Sequence, residues 1–234
     1  MKFIVISDIH GDIESVKKLK EKIKTEKCDG IIVAGDIGSL SVLSPLQELN
    51  IPIYTILGND DNPGEKKNFS QFSNIIDIDL KVVKVNGFNI VGCGGAPGGP
   101  FYAYNDKEIF KKLDNLFKNL QGPVILVTHC PPKCVLDLAT YYGRKHIGSR
   151  AIKRILKKYK PLVCFCGHVH KDGGEIEKFD DTRVVNVAGL ADHYTFKCRG
   201  RRFCICEITD SKIDIKFDYL REVHSLKELV DKYL

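Results

Sequence analysis

The chain has 234 residues, a mass of 26.3 kDa and a net charge of +6 from 36 basic and 30 acidic side chains. Apolar residues make up 43% and charged residues 28%, which excludes a disordered chain, and no run approaches the ~20 apolar residues of a membrane helix. The mild positive charge leans toward anionic partners but is no nucleic-acid signature by itself, because the lysines spread over helix-like stretches.

In chain order, residues 3–7 read as a short buried strand that stops at Asp8, with His10 two positions on. The polar residues Ser7 and Asp8 end the first apolar run too early for a signal peptide, so a soluble, cytoplasmic protein is expected. Ile13, Val16, Leu19 and Ile23 fall close to a helical stripe within residues 13–27. Residues 31–35 and 53–58 are again short, apolar and β-branched; they stop at Asp36 and at Asn59, which Asp60 and Asp61 follow. Strands alternating with helical patterns imply βαβ units and a parallel sheet.

The middle of the chain changes character. Asn86-Gly87 between two apolar runs is a hairpin signal of the type I′ kind, and a glycine-rich loop follows over residues 92–99. Asn105 with Glu108 marks a helix start, and Ile109, Leu113, Leu116 and Leu120 give that helix an apolar face. Residues 124–128 form a strand that stops at His129, and residues 162–167 form one that stops at His168, with His170 two further on. Between them lie an irregular stretch and a helix near residues 151–159. Residues 175–187 and 203–219 read as antiparallel pairs, the second turning at Asp210-Ser211, and Ser225 with Glu228 caps a terminal helix. The expectation is one domain over 1–234, an α/β four-layer α/β/β/α sandwich of two mixed sheets flanked by helices.

The nine cysteines are an odd number in a chain that is neither short nor marked for secretion, so no disulfide framework is expected. Cys164/Cys166 and Cys204/Cys206 place both thiols on one face of a strand and read as small buried apolar side chains.

The strongest signal is positional. Five apolar strand patterns each stop at a residue able to ligate a metal. Carboxyl ends of parallel strands line one crevice, so Asp8, His10, Asp36, Asn59, His129, His168 and His170 would converge on one rim. Any one of them alone reads as a helix cap, a turn former or a satisfied polar group. Five in order resist that account. Oxygen and nitrogen donors without thiolate suit Mn²⁺, Fe, Zn²⁺ or Ni²⁺. Seven donors exceed one tetrahedral ion but suit two divalent ions that share a carboxylate. Two such ions against Asp8 and Asp36 leave a formal charge of about +2, a match for a phosphate dianion.

These residues resemble the calcineurin-like metallophosphoesterases. The blocks are Asp8-x-His10, Gly35-Asp36, Gly58-Asn59-x-Asp61, His129 and Gly167-His168-x-His170, in the family's order. Gly94-Gly95-Ala96-Pro97, His129-Cys130-Pro131-Pro132 and His146-Ile147-Gly148-Ser149 look like the subgroup related to cyclic-nucleotide phosphodiesterases. The resemblance implies that Asp8, His10 and His170 bind one ion, that Asn59, His129 and His168 bind the other, and that Asp36 bridges. It further implies a dinuclear-metal phosphoester hydrolase, Mn²⁺ being the first metal expected, in which a metal-bound hydroxide attacks phosphorus in line. A small phosphoester, a nucleotide among the options, would be the substrate.

One position departs from the family pattern. Asp60 stands where many members carry a histidine that protonates the leaving group. A carboxylate beside two cations keeps its charge and is a poor acid at neutral pH, so diesters or esters with good leaving groups are expected. Arg144 and His146 are candidates for substrate binding; His193 and Tyr194 are candidates for lining the cleft. Asp61 is expected to hold the Asn59 loop. Two other readings compete. A protein-binding scaffold of the same fold would have lost ligands. A nuclease would need an extended basic groove, for which residues 197–202 are the one candidate. No membrane partner is expected, nucleic acid is disfavoured, and self-association stays open.

Overall fold

The computed structural model describes residues 1–140, 143–191, 201–209 and 212–220. The turn at Asp210-Ser211, the terminal helix from Ser225, His224, His193, Tyr194 and residues 197–200 of the basic cluster lie outside the described residues.

The short β-branched runs form strands because packing on both faces of each sheet buries them. Strands β1 (Lys2–Ile6), β2 (Gly30–Ala34), β3 (Ile53–Ile56) and β4 (Ile75–Asp77) run parallel. The antiparallel pair at the chain's far end joins the open edge of β1 and is numbered last below. Strands β5 (Val82–Val85) and β6 (Phe88–Cys93) form the expected hairpin, with Asn86 and Gly87 at φ 47° and 83° as a type I′ turn requires. Strand β7 (Val124–Thr128) is parallel to β6 and to β8 (Val163–Cys166). Strands β9 (Ile176–Phe179) and β10 (Thr182–Asn186) are antiparallel, and β10 lies parallel to β8. Strands β11 (Arg202–Ile208) and β12 (Ile213–Tyr219) complete the first sheet. Among the described residues the two six-stranded sheets have the orders β12-β11-β1-β2-β3-β4 and β9-β10-β8-β7-β6-β5.

Strand alternation sorts side chains into layers. Phe3, Val5 and Ile32 face Ile125, Val127 and Phe165 between the sheets. Ile4, Ile6, Ile31 and Val33 point outward onto Val16, Leu19 and Ile23 of helix α1 (Ile13–Ile23). Leu126 and Val184 point outward onto helices α2 (Asp106–Phe117) and α3 (Arg150–Tyr159), through Ile109, Leu113, Ile152 and Ile155. Each aliphatic side chain buried in this way contributes about 1.5–3 kcal/mol. The result is the expected helix–sheet–sheet–helix layering. The cysteine pairs follow the same rule: Cys164 and Cys166 share the outer layer, Cys204 and Cys206 the layer between the sheets.

The helix starts explain why two acids are left for the site. Asp12, not Asp8, caps α1 by accepting the Ser15 N–H at 2.9 Å. Asn105 caps α2, and Ser149 caps α3. Asp106 accepts from the Ser149 hydroxyl and from the Arg150 and Ala151 N–H groups, which joins the two helix N-termini. Among the described residues several short stretches differ from the sequence reading, including helical turns over Pro63–Gln71 and a pairing of Ala96–Pro97 with Ala103–Tyr104. Residues 40–47 wind into short helical turns, residues 75–77 form the edge strand β4, and the irregular stretch carries a two-stranded hairpin pairing Leu138–Ala139 with Lys145–His146. All are short and lack a resolvable apolar period, so single-sequence patterning passes over them.

Candidate metal centre

The parallel strands of both sheets bring their carboxyl ends to one place. Asp8 follows β1, Asp36 follows β2, Asn59 follows β3, His129 follows β7 and His168 follows β8. The edges are stitched across the sheets. The His168 N–H donates to both Asp8 carboxylate oxygens at 3.1 and 3.2 Å across the sheets, while within the second sheet Gly167 N–H donates to the His129 carbonyl at 2.9 Å. Asp8 and His168 are 160 residues apart in the chain.

Four of these residues have left-handed backbones: Asp8 at φ 56°, His10 at 46°, Asp36 at 51° and His168 at 69°. Each such non-glycine conformation costs of order 1–3 kcal/mol and persists only when its surroundings enforce it. Here the Asp8 N–H is held by the Gly35 carbonyl, and the Ile9 and His10 N–H groups share the Asp36 carbonyl. The strained turns aim donor atoms inward.

The donors fall into two groups whose atoms lie within 4.8 Å of one another: Asp8, His10 and His170, and Asp36, His129 and His168. In the first, His170 Nε2 lies 3.1 Å from Asp8 Oδ1 and 3.3 Å from His10 Nε2. In the second, His129 Nε2 lies 3.0 Å from Asn59 Oδ1 and 3.3 Å from Asp36 Oδ2. Asp36 Oδ2 is also 3.9 Å from His10 Nε2, so one oxygen sits within ligand-to-ligand reach of both groups. Donors held about 2.0–2.2 Å from one ion stand at such mutual separations, and the oxygen and nitrogen set fits a pair of divalent ions.

Electrostatics agree with this donor set. Burial opposes ionisation of Asp8, yet the imidazoles of His170, His129 and His10 hold its carboxyl well below the ordinary range. Burial also opposes the charge on Asp36, and His129 overcomes it. Burial pulls His129 down, but Asp36 and Asp8 lift it to about 9. Its Nδ1 faces the Ala34 carbonyl at 2.9 Å; a carbonyl can only accept, so Nδ1 carries a proton and Nε2 is the atom left to face a metal ion. His168 is pushed down to about 4 by burial and by His129, and is a neutral donor.

Supporting residues lie just outside. Asp61 accepts from Ile37, Gly38 and Gly58 N–H groups at 3.1, 2.7 and 2.8 Å, tying the loops after β2 and β3 together. Asp60 is on the rim with its side chain 50% exposed, and its Oδ2 is 3.6 Å from His10 Nδ1. Its N–H donates to Asp36 Oδ1 at 2.8 Å. Arg144 is exposed beside the small hairpin. His146 is pinned through Nδ1 to buried Asp137 at 2.5 Å and does not line the cleft next to the donors. Cys130 is buried, with its thiol toward the Pro131 and Ile147 carbonyls.

One supporting residue escaped the sequence reading. Buried Asp79 accepts from the Gly94 N–H, the Tyr102 hydroxyl and Lys66, so it anchors the loop over residues 94–102. That loop returns to the site: the Phe101 and Tyr102 N–H groups both donate to the Asn59 carbonyl, at 3.2 and 3.1 Å. In one sequence nothing separates Asp79 from a surface acid, because its partners lie 13 to 23 residues away.

Comparison with known proteins places this geometry. The model of the calcineurin-like phosphoesterase family matches residues 1–172. The uncharacterised protein MJ1162 of Methanocaldococcus jannaschii is 32% identical over 199 residues, covering 80% of this chain and 87% of that protein. Among solved structures, TT1561 of Thermus thermophilus superposes with a TM-score of 0.72 at 15% identity, covering 94% and 99% of the two chains. A dimetal phosphatase from Danio rerio superposes with a TM-score of 0.67 at 12% identity, covering 95% and 97%. At those identities the likeness carries the fold.

Proposed function

This chain belongs to the calcineurin-like phosphoesterase family, and we propose that it is a dinuclear-metal phosphodiesterase. The observation that carries the reading is Asp36, whose Oδ2 stands between the two donor groups, 3.3 Å from His129 and 3.9 Å from His10. Asp8, His10 and His170 would hold one ion, Asn59, His129 and His168 the other, with Asp36 shared. When bound there, two divalent ions would supply a lowered pKa for water and neutralisation of charge on the phosphoryl oxygens. Mn²⁺ is the first metal to test.

The protein's own part is to bind and orient. The left-handed turns fix the donors, and the Nδ1 bond from His129 to Ala34 fixes its ring. In hydrolysis an oxygen of water joins phosphorus, the ester P–O bond breaks, and the leaving oxygen takes up a proton. Asp60 stands where a proton donor is needed but is exposed and carboxylic. Such a site favours esters whose leaving group departs without assistance, and repels the second charge of a monoester more than the single charge of a diester. The position of Asp60 therefore supports diesters over monoesters.

The test is a panel of phosphodiesters and monoesters, cyclic nucleotides included, assayed with Mn²⁺, Ni²⁺, Zn²⁺ and Mg²⁺. Diester turnover with about two ions bound per chain is the expected result. A metal-loaded protein inert on the whole panel would leave the scaffold reading in its place.

A further inference from the structure

The cleft beside the donors has a volume of about 350 Å³, and Asn59, His168 and His170 form part of its wall. The rest of the wall is unlike a phosphate or sugar site. Residues 96–100 supply alanine, proline and glycine, and Ile147 and Val169 stand with them. Apart from the candidate ligands, Lys171 is the one charged side chain among the described lining residues. Phe101 follows Pro100 directly and is 64% exposed.

This wall is built onto the metal centre. A Cβ on Gly99 would lie 2.6 Å from Asn59 Cβ, so the loop touches the ligand with no room between. The backbone bonds from Phe101 and Tyr102 to the Asn59 carbonyl close the same contact. A phosphorus atom at the donors therefore directs one of its ester groups against residues 96–100. There a polyol or a second phosphate would lose water and find only Thr140 and Lys171 as side-chain partners beyond the candidate ligands, whereas an apolar ring would displace water that is itself poorly bonded. The faces of Pro97 and Pro100 favour a flat apolar partner such as an aromatic ring.

Resting on the phosphodiesterase reading, we infer that the substrate is a phosphodiester carrying one aromatic or heteroaromatic ester group, seated against residues 96–100. The test uses inhibition of metal-loaded protein by phenylphosphonate, methylphosphonate and glycerol phosphate, with calorimetric binding of each as a readout independent of turnover. Phenylphosphonate is expected to bind about tenfold tighter than methylphosphonate, and glycerol phosphate no tighter. Pro100→Ser, at an exposed lining position with no backbone N–H to lose, is expected to weaken phenylphosphonate far more than methylphosphonate and so to lose most of that preference. Equal affinity for the phenyl and methyl compounds overturns the inference while diester hydrolysis stands. A preference unchanged by Pro100→Ser overturns the placement at this wall. A loaded protein that hydrolyses no phosphoester overturns the underlying reading, and this inference with it.

Discussion

Gly58 and Asp36 stand so close that a Cβ on Gly58 would lie 2.1 Å from the Asp36 Oδ1 atom. The glycine before Asn59 is thus required by the carboxylate of another strand end. Gly167 repeats the relationship, since a Cβ there would lie 2.4 Å from Asp8 Oδ2. Gly58→Ala should push the Asp36 carboxylate away from His129 and His10. Displacing a group that orients metal ligands typically costs about 10–100-fold in metal affinity or activity. Metal content by emission spectroscopy should fall below two ions per chain, and diester turnover should fall with it. Full occupancy in Gly58→Ala would count against Asp36 as the shared ligand.

Metal removal should also weaken the fold. Buried Asp8 and Asp36 face four imidazoles whose rings crowd one another, with His10 and His170 nitrogens 3.3 Å apart. A cation bound only by the native state stabilises it by about 2.7 kcal/mol at a hundred times its Kd. For a chain of this length that corresponds to roughly 5–10 °C in Tm. Calorimetry of chelated and Mn²⁺-loaded protein should show this rise, and Asp8→Asn should reduce it. Equal melting with and without metal would contradict a shared buried metal centre.

Asp60→His restores a side chain able to donate a proton at the rim. General acid help is worth about 10²–10⁴-fold where the leaving group needs it. Monoester turnover should therefore rise relative to diester turnover, most for alkyl leaving groups. An unchanged ratio would remove Asp60 as the source of diester preference.

Tyr102→Phe deletes one donor to the buried Asp79 carboxylate, where Gly94 and Lys66 remain. Hydrogen bonds to a charged group contribute about 1.5–3 kcal/mol, so the loop over residues 94–102 should loosen. Because that loop lines the cleft, KM should rise several-fold more than kcat falls. A fall in kcat alone would instead place Tyr102 in the chemical step.

The described thiols should divide by burial, with half-buried Cys28 between the two classes. Cys93, Cys130, Cys164, Cys166, Cys204 and Cys206 are buried, and burial raises every one of those thiols, Cys164 and Cys206 to about 12. Cys134 is exposed. An aromatic disulfide reagent should label Cys134 in the folded protein, and Cys134→Ser should remove one equivalent from the fast phase. The six buried thiols should react only on unfolding.

What could be read along the chain is local. Strand and helix periods gave the layers, Asn86-Gly87 gave the hairpin, and five strand patterns ending at Asp8, Asp36, Asn59, His129 and His168 placed the donors at strand ends. Those features depend on neighbours a few residues apart, which one sequence displays. Whatever depends on two sheets meeting came from the folded molecule. Asp8 receives its backbone donor from His168, 160 residues away, and Asp36 comes between His10 and His129 only where the two carboxyl edges converge. The anchoring of the cleft loop by Asp79 arises from the same convergence, whereas the crowding at Gly58 comes from the neighbouring strand end of its own sheet and the pairing of His146 with Asp137 from folding within one loop. Chain patterning cannot encode which distant groups share a wall, because packing of the two sheets, not spacing along the chain, brings them together.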